Sequence, residues 1–248
     1  MLYFLRHLRF KSLLKKFKPG NYLVYALGEI ILVVIGILIA LQINVWNGQK
    51  TDRKQELYIL KRFLFDLVND IDQLHSCIKE TQIQLSNLDT IVSILNTKKD
   101  ASRFFELQRS IHDTRTFKPN LGTYDESISS GKVELITNDS IRETLFNYYR
   151  EITKYNADDA MNKIRDEIIL PYINNTIYNR RESIGFIFKT SAQLPKLDLH
   201  SLSNDEKYFG ILISAKGRHV QLINWSDYLN YANMLKKQIE KELLVKDG

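Results

Sequence analysis

Glu29 is the residue whose surroundings ask most for an explanation. It is the one charge between Tyr22 and Leu41, a run of twenty residues, and the twelve that follow it, Ile30 to Leu41, have no polar side chain. Twenty helical residues rise about 30 Å, the thickness of the hydrocarbon core of a bilayer. A carboxylate inside such a span costs a few kcal/mol at mid-bilayer and is a functional hypothesis by default. Glu29 lies roughly 10 Å along the helix from Tyr22, nearer one end than the centre. Three readings stand side by side. The side chain hydrogen-bonds across an interface with another helix, it couples protons or ions within a partner complex, or it is a tolerated neutral acid near the headgroups. Gly36-x-x-x-Ala40 offers the small residues that let two helices approach closely. Gln42, Asn44 and Trp46 read as the exit of the span, where Trp prefers the interface and the amides meet headgroups or a neighbouring helix. Glu29, Gly36, Ala40, Gln42, Asn44 and Trp46 are therefore the candidate site residues.

No comparable chemistry is found elsewhere. The five histidines, at 7, 75, 112, 200 and 219, never stand three or four apart, so no helical metal pair arises. Ser129-Ser130-Gly131 lacks the G-x-S-x-G frame of a nucleophile elbow, and no phosphate- or dinucleotide-binding glycine motif occurs. His112-Asp113 is a common dipeptide. The single cysteine, Cys77, forms no internal disulfide and reads as a small buried or half-buried residue. The expectation is a protein that is not an enzyme and uses no cofactor or metal.

Charge agrees with the membrane reading. The chain of 248 residues has a formal net charge of +6. Its first fifty residues hold seven bases and one acid, so the whole excess sits beside the apolar run and the remainder is neutral. Basic residues flanking a span favour the cytoplasmic side and anionic lipid, whereas nucleic-acid binding would need the excess on the folded domain. Residues 1–21 read as a basic cytoplasmic tail with a short amphipathic helix ended by Pro19-Gly20. Residues 22–46 read as a transmembrane helix. No small-residue cleavage pair follows the run, which favours an uncleaved anchor over a signal peptide. Residues 47–248 then form an extracytoplasmic domain, expected at the bacterial cytoplasmic (inner) membrane with the N-terminus inside.

That domain reads as all-α. From Leu57 to Leu95, twelve residues step by 3, 4, 3, 4 without a slip, and Thr81 is the one polar member. This heptad seam predicts a long helix over about 49–96, with Gly48 its weak point. The seam suits either an antiparallel bundle within one chain or a parallel coiled coil between chains. Beyond a break at 96–100, short helices are expected at 101–114 and at Tyr124 to Ser129, the latter closed by Gly131. The next helix is capped by Asn138, or by a box from Ser140 to Glu143. It presents Ile141, Leu145, Tyr148, Tyr149, Ile152 and Tyr155, continuing through Met161, Ile164 and Ile168 until Pro171 kinks or ends it. Residues 183–203 look irregular. Asn204 or Ser203 caps a helix to Ala215, and a last helix runs from about Arg218 to Val245.

Two stretches are familiar in their order. YLVYALGEIILVVIGILIALQINVWN at 22–47 and YDESISSGKVELITNDSIRETLFNYY at 124–149 are similar to the two sequence blocks of domain-of-unknown-function family 6090, single-pass membrane proteins abundant in flavobacteria and their relatives. Val45 stands where that family often has Asn. The resemblance implies fold and location and carries over no functional residue.

The expectation for function is a membrane-anchored helical protein that binds a partner or ligand outside the cytoplasm and self-associates, or joins another membrane or envelope protein. The alternative is an accessory subunit of a membrane transport or energy-coupling complex using Glu29. A sensor is the weaker reading, because a 21-residue tail is short for an output domain.

Overall fold

A computed structural model describes residues 19–154, 157–178 and 198–246. The expected tail helix, Tyr155 and most of the stretch expected to be irregular lie outside those residues. Among the described residues the protein is all helix. The order is α1 (Pro19–Thr97), α2 (Ala101–Leu107), α3 (Arg109–His112), α4 (Gly122–Ser129), a 3₁₀ turn (Lys132–Leu135), α5 (Asp139–Lys154) and α6 (Ala157–Ile164). A π-helical segment (Arg165–Ile169), α7 (Leu170–Ile173) and a second π segment (Asn174–Tyr178) follow, then α8 (Leu199–Ser203), α9 (Glu206–Lys216) and α10 (Arg218–Lys246).

The chain divides into two compact units, residues 1–54 and 55–248. In the first, α1 runs through Gly48 without interruption. Its apolar side chains from Val24 to Trp46 are all exposed, by 47% to 72%.

In the second unit α1 is the element the others pack on. All twelve seam positions from Leu57 to Leu95 are buried or half-buried. The seam is filled by helices of the same chain. Ile59 to Ile71 pack in one cluster with Leu145 and Tyr149 of α5 and with Leu235, Ile239 and Leu243 of α10. Leu74 and Cys77 meet Phe117 and Trp225. Leu85 to Leu95 pack with α2, α3, the π segments, α8 and α9. Because Trp225 of α10 packs with Leu74 and Cys77 while Leu243 clusters with Ile59 and Leu60, α10 runs antiparallel to this part of α1.

Local signals set most boundaries. Lys98 and Asp100 adopt left-handed backbone, with φ 55° and 65°, which ends α1. The Asp100 carboxylate then accepts from the Arg103 amide at 3.0 Å to start α2. Gly131 takes φ 68° after α4, a conformation that suits glycine. Asn138 caps α5, its Oδ1 accepting from the Ser140 and Ile141 amides at 3.1 and 3.3 Å; the Ser140–Glu143 box is not used.

Four expectations change in the structure. Leu199–Ser203, within the stretch expected to be irregular, form α8. Asp205, not Asn204 or Ser203, caps α9, accepting from the Lys207 and Tyr208 amides at 2.8 and 3.3 Å. Pro171 does not end the helical path, which continues to Tyr178. The π-helical segment just before it bonds with wider spacing, a way around the missing proline N–H. Ile168 does not continue the apolar face: it is 51% exposed and Ile169 is fully buried, because the π turn adds a residue and shifts the register.

Candidate functional site

All six candidate residues, Glu29, Gly36, Ala40, Gln42, Asn44 and Trp46, lie on the exposed part of α1. At 100° per residue, Gly36 and Ala40 fall on one face and Glu29 and Gly36 on one seam. A side chain built at Gly36 would meet nothing within 4 Å, so that face is open to another helix. Lys50 places its ammonium 5.7 Å from the Trp46 ring centre, pairing an interfacial aromatic with a cation. The chemistry available here is contact between helices, with one carboxyl in an apolar surround.

The domain holds a set of buried charged side chains that the sequence pattern does not announce. Asp70, fully buried on α1, accepts from the Asn120 amide at 2.9 Å, from Asn120 Nδ2 at 2.7 Å and from the Tyr148 hydroxyl at 2.8 Å. Asp158 on α6 accepts from the Phe117 amide and Gln221 Nε2 at 2.8 and 2.7 Å. Glu56 accepts from the Thr137 amide and hydroxyl, both at 2.8 Å. Arg218, fully buried at the start of α10, donates to the Ser110 carbonyl and, at 2.6 Å, to that of Ile111. Each carboxylate fastens irregular backbone to a helix, and Arg218 ties the start of α10 to α3. Segment 113–121 is held by two carboxylates and 136–138 by a third. Burial raises the Asp70 and Asp158 carboxyls above the ordinary range, against the hydrogen bonds that favour their ionised forms. Burial also lowers the Arg218 guanidinium to about 10. Each carboxylate accepts from one backbone amide and from neighbouring side chains, and Arg218 donates to two backbone carbonyls, so these groups act as fasteners. The available signal was an acid adjoining a seam position, Asp70 beside Ile71 and Glu56 beside Leu57.

Cys77 is buried, as its pattern implies, with Sγ 3.8 Å from the Thr116 carbonyl. Burial, with Asp158 and Glu80 nearby, pushes its thiol up to about 11, which leaves little thiolate at neutral pH. Tyr148 and Tyr149 are core residues, and Tyr124 stacks on Tyr149 with ring centres 4.3 Å apart. His75, His200 and His219 are exposed. Burial lowers the half-buried His112. The Ser129 and Ser130 hydroxyls donate to the Glu126 carbonyl within their own turn. Among the described residues no group of three or more His, Cys, Asp or Glu could hold a metal ion.

Two clefts among the described residues bear on binding. The smaller, about 180 Å³, lies between α1 and α3 and is lined by Glu80, Ile83, Gln84, Asn87, Arg109, Ser110 and Asp113. The larger, about 630 Å³, runs along α5 and α10. Its lining is Glu151, Asn224, Asp227, Tyr228, Asn230, Tyr231 and Met234. Two carboxylates, two amides and two phenols beside a methionine make a surface for hydrogen bonding and for positive charge.

Residues 29–168 match the model of a family of unknown function (DUF6090). The match covers more than half of the chain, which belongs to that family. It begins at Glu29 and includes the block at 124–149. No curated protein and no solved structure matches the chain.

Proposed function

We propose that this member of the DUF6090 family is a single-pass membrane protein whose helical domain binds a partner or ligand outside the cytoplasm, without catalysis. The observation that carries the reading is the exposure of every large apolar side chain from Val24 to Trp46 on a helix long and apolar enough to cross a membrane. An apolar surface of that length in water is unfavourable by about 25 cal/mol per Å², and a bilayer removes the cost. The six bases between Arg6 and Lys18, against Lys50, Arg53 and Lys54 after the span, support an N-terminus inside and a domain outside. The cleft along α5 and α10 is where we expect the partner or ligand to bind. Gly36 and Ala40 are the contact through which the membrane helix self-associates.

Glu29 supports a second reading, an accessory subunit of a transport or energy-coupling complex. Two substitutions separate them. In the first reading Gly36→Leu abolishes disulfide crosslinking between cysteines introduced in the span, and Glu29→Gln leaves function intact. Loss of function in Glu29→Gln with crosslinking unchanged would move the assignment to the second. The buried Cys77 is a poor handle for such work, so introduced cysteines are needed. Protease digestion of residues 50–248 in intact spheroplasts tests the orientation, and full protection there would reverse it.

A further inference from the structure

The end of the domain at which α1 enters it displays an apolar tip of its own. Successive residues tie the two helices together there. The Thr137 amide donates to Glu56 of α1 and Asn138 Nδ2 donates to Glu242 of α10, each at 2.8 Å. Glu242 thus stands one loop away from the first residues of the domain, and Leu243 shares a cluster with Ile59 and Leu60. α10 continues past this level, carrying Leu244 and Val245 outward. They are 80% and 71% exposed, Leu244 more than any other large apolar residue described. Lys237 and Lys241, also exposed, precede Leu244 by seven and three residues, so the lysines and the leucine share one face. Tyr58 stands at the same level on α1, 63% exposed. Four acids at this end are engaged, Glu240 with Lys236, Asp139 with Arg142, Glu56 with Thr137 and Glu242 with Asn138, and Glu143 of α5 is exposed.

Aliphatic side chains at a tip, lysines one and two turns behind them and an adjoining tyrosine form the chemistry of a bilayer interface. The apolar groups enter the acyl boundary while the ammonium groups stay with phosphates. Connectivity favours that occupant over a second protein. Gln55 opens the domain nine residues after Trp46, so even a fully extended chain holds its first residue within about 30 Å of the span's exit. We infer that this end of the domain docks on the phospholipid surface of the membrane that holds the span, through Leu244 and Val245 with Lys237 and Lys241 on the headgroups. The inference rests on the membrane-anchor reading but not on which side the domain occupies.

The test uses the full chain with Cys77→Ala, reconstituted in vesicles of phosphatidylcholine and phosphatidylglycerol that carry shallow nitroxide-labelled lipid. An environment-sensitive fluorophore is attached at Leu244→Cys or at Ile213→Cys. Ile213 is 73% exposed on α9, a helix that packs with the opposite end of the α1 seam. Flotation after a carbonate wash reports the anchor separately, and a chain that fails to float overturns the anchor and the docking together. In floated protein the label at 244 should lose more than half its emission to the lipid quencher while that at 213 is unchanged. Lys237→Glu with Lys241→Glu should cut the quenching at 244 at least twofold in these anionic vesicles. Equal, weak quenching at both positions overturns the docking and leaves the anchor. Protection of 244 from both lipid quencher and aqueous iodide overturns it too, and assigns the tip to a second copy or a protein partner.

Discussion

Asp70 bears on stability through what it fastens. Replacing it with alanine leaves the Asn120 amide, the Asn120 side chain and the Tyr148 hydroxyl without an acceptor, in a site where Asp70 and Tyr148 are fully buried and Asn120 is half-buried. A buried donor without a partner costs about 1–3 kcal/mol, so Asp70→Ala should lower unfolding free energy by about 3 kcal/mol or more, read by urea denaturation. Asp70→Asn keeps an oxygen for Asn120 and can donate to the Tyr148 oxygen, so its loss should be smaller. The carboxyl also sets a pH signature. Its folded value lies above the ordinary one because burial disfavours the charge. Between the two values the folded state therefore holds more protons than the unfolded, and stability falls as pH rises. The stability difference between wild type and Asp70→Asn should be largest below about pH 4, the usual carboxylate value, and shrink on going up through the folded one. A difference that grew with pH would mean that hydrogen bonding to the ionised form outweighs burial. Glu29 was legible as a lone charge in an apolar run. Asp70 was not, because a buried acid and a surface acid look alike until the partner loop is known.

At the level of elements, α1 is the part of the fold that its residues announce most fully. An unbroken 3–4 spacing can only keep one side of a helix covered, and every seam residue is covered. The spacing did not say by what, because a heptad serves a partner chain as well as antiparallel helices of its own chain; the three core clusters answer with the latter. The stretch before Pro171 was misread for a different reason. Sequence periodicity assumes 3.6 residues per turn, and the π segment at Arg165–Ile169 breaks that assumption over five residues. Ile169, not Ile168, then points inward. Ile169→Ala should cost about 2–5 kcal/mol, as for a buried isoleucine truncated in a packed core. Ile168→Ala should stay within about 0.5 kcal/mol, as surface changes do. Parallel urea titrations of the two variants decide it, and the reverse order would restore a regular helix through this stretch.

For the whole molecule, the division at Lys54 separates two kinds of solvent demand. Val24 to Trp46 expose their large apolar side chains, whereas among the described residues the core clusters of the second unit begin at Leu57. A chain of nearly two hundred residues is long enough to bury a sizeable core unaided, and the buried fasteners of the domain find their partners within it. Residues 55–248 expressed alone should therefore be helical by circular dichroism and unfold in one cooperative step without detergent. The full chain should need detergent or lipid to stay dispersed. Acids and bases nearly cancel after residue 50, so the fragment should be least soluble near neutral pH and gain solubility on moving away from it. A fragment that folds only when vesicles are added would show that the apolar tip at Leu244 and Val245 supports the fold through lipid. A fragment that folds only as a dimer would give the seam or the tip a protein partner.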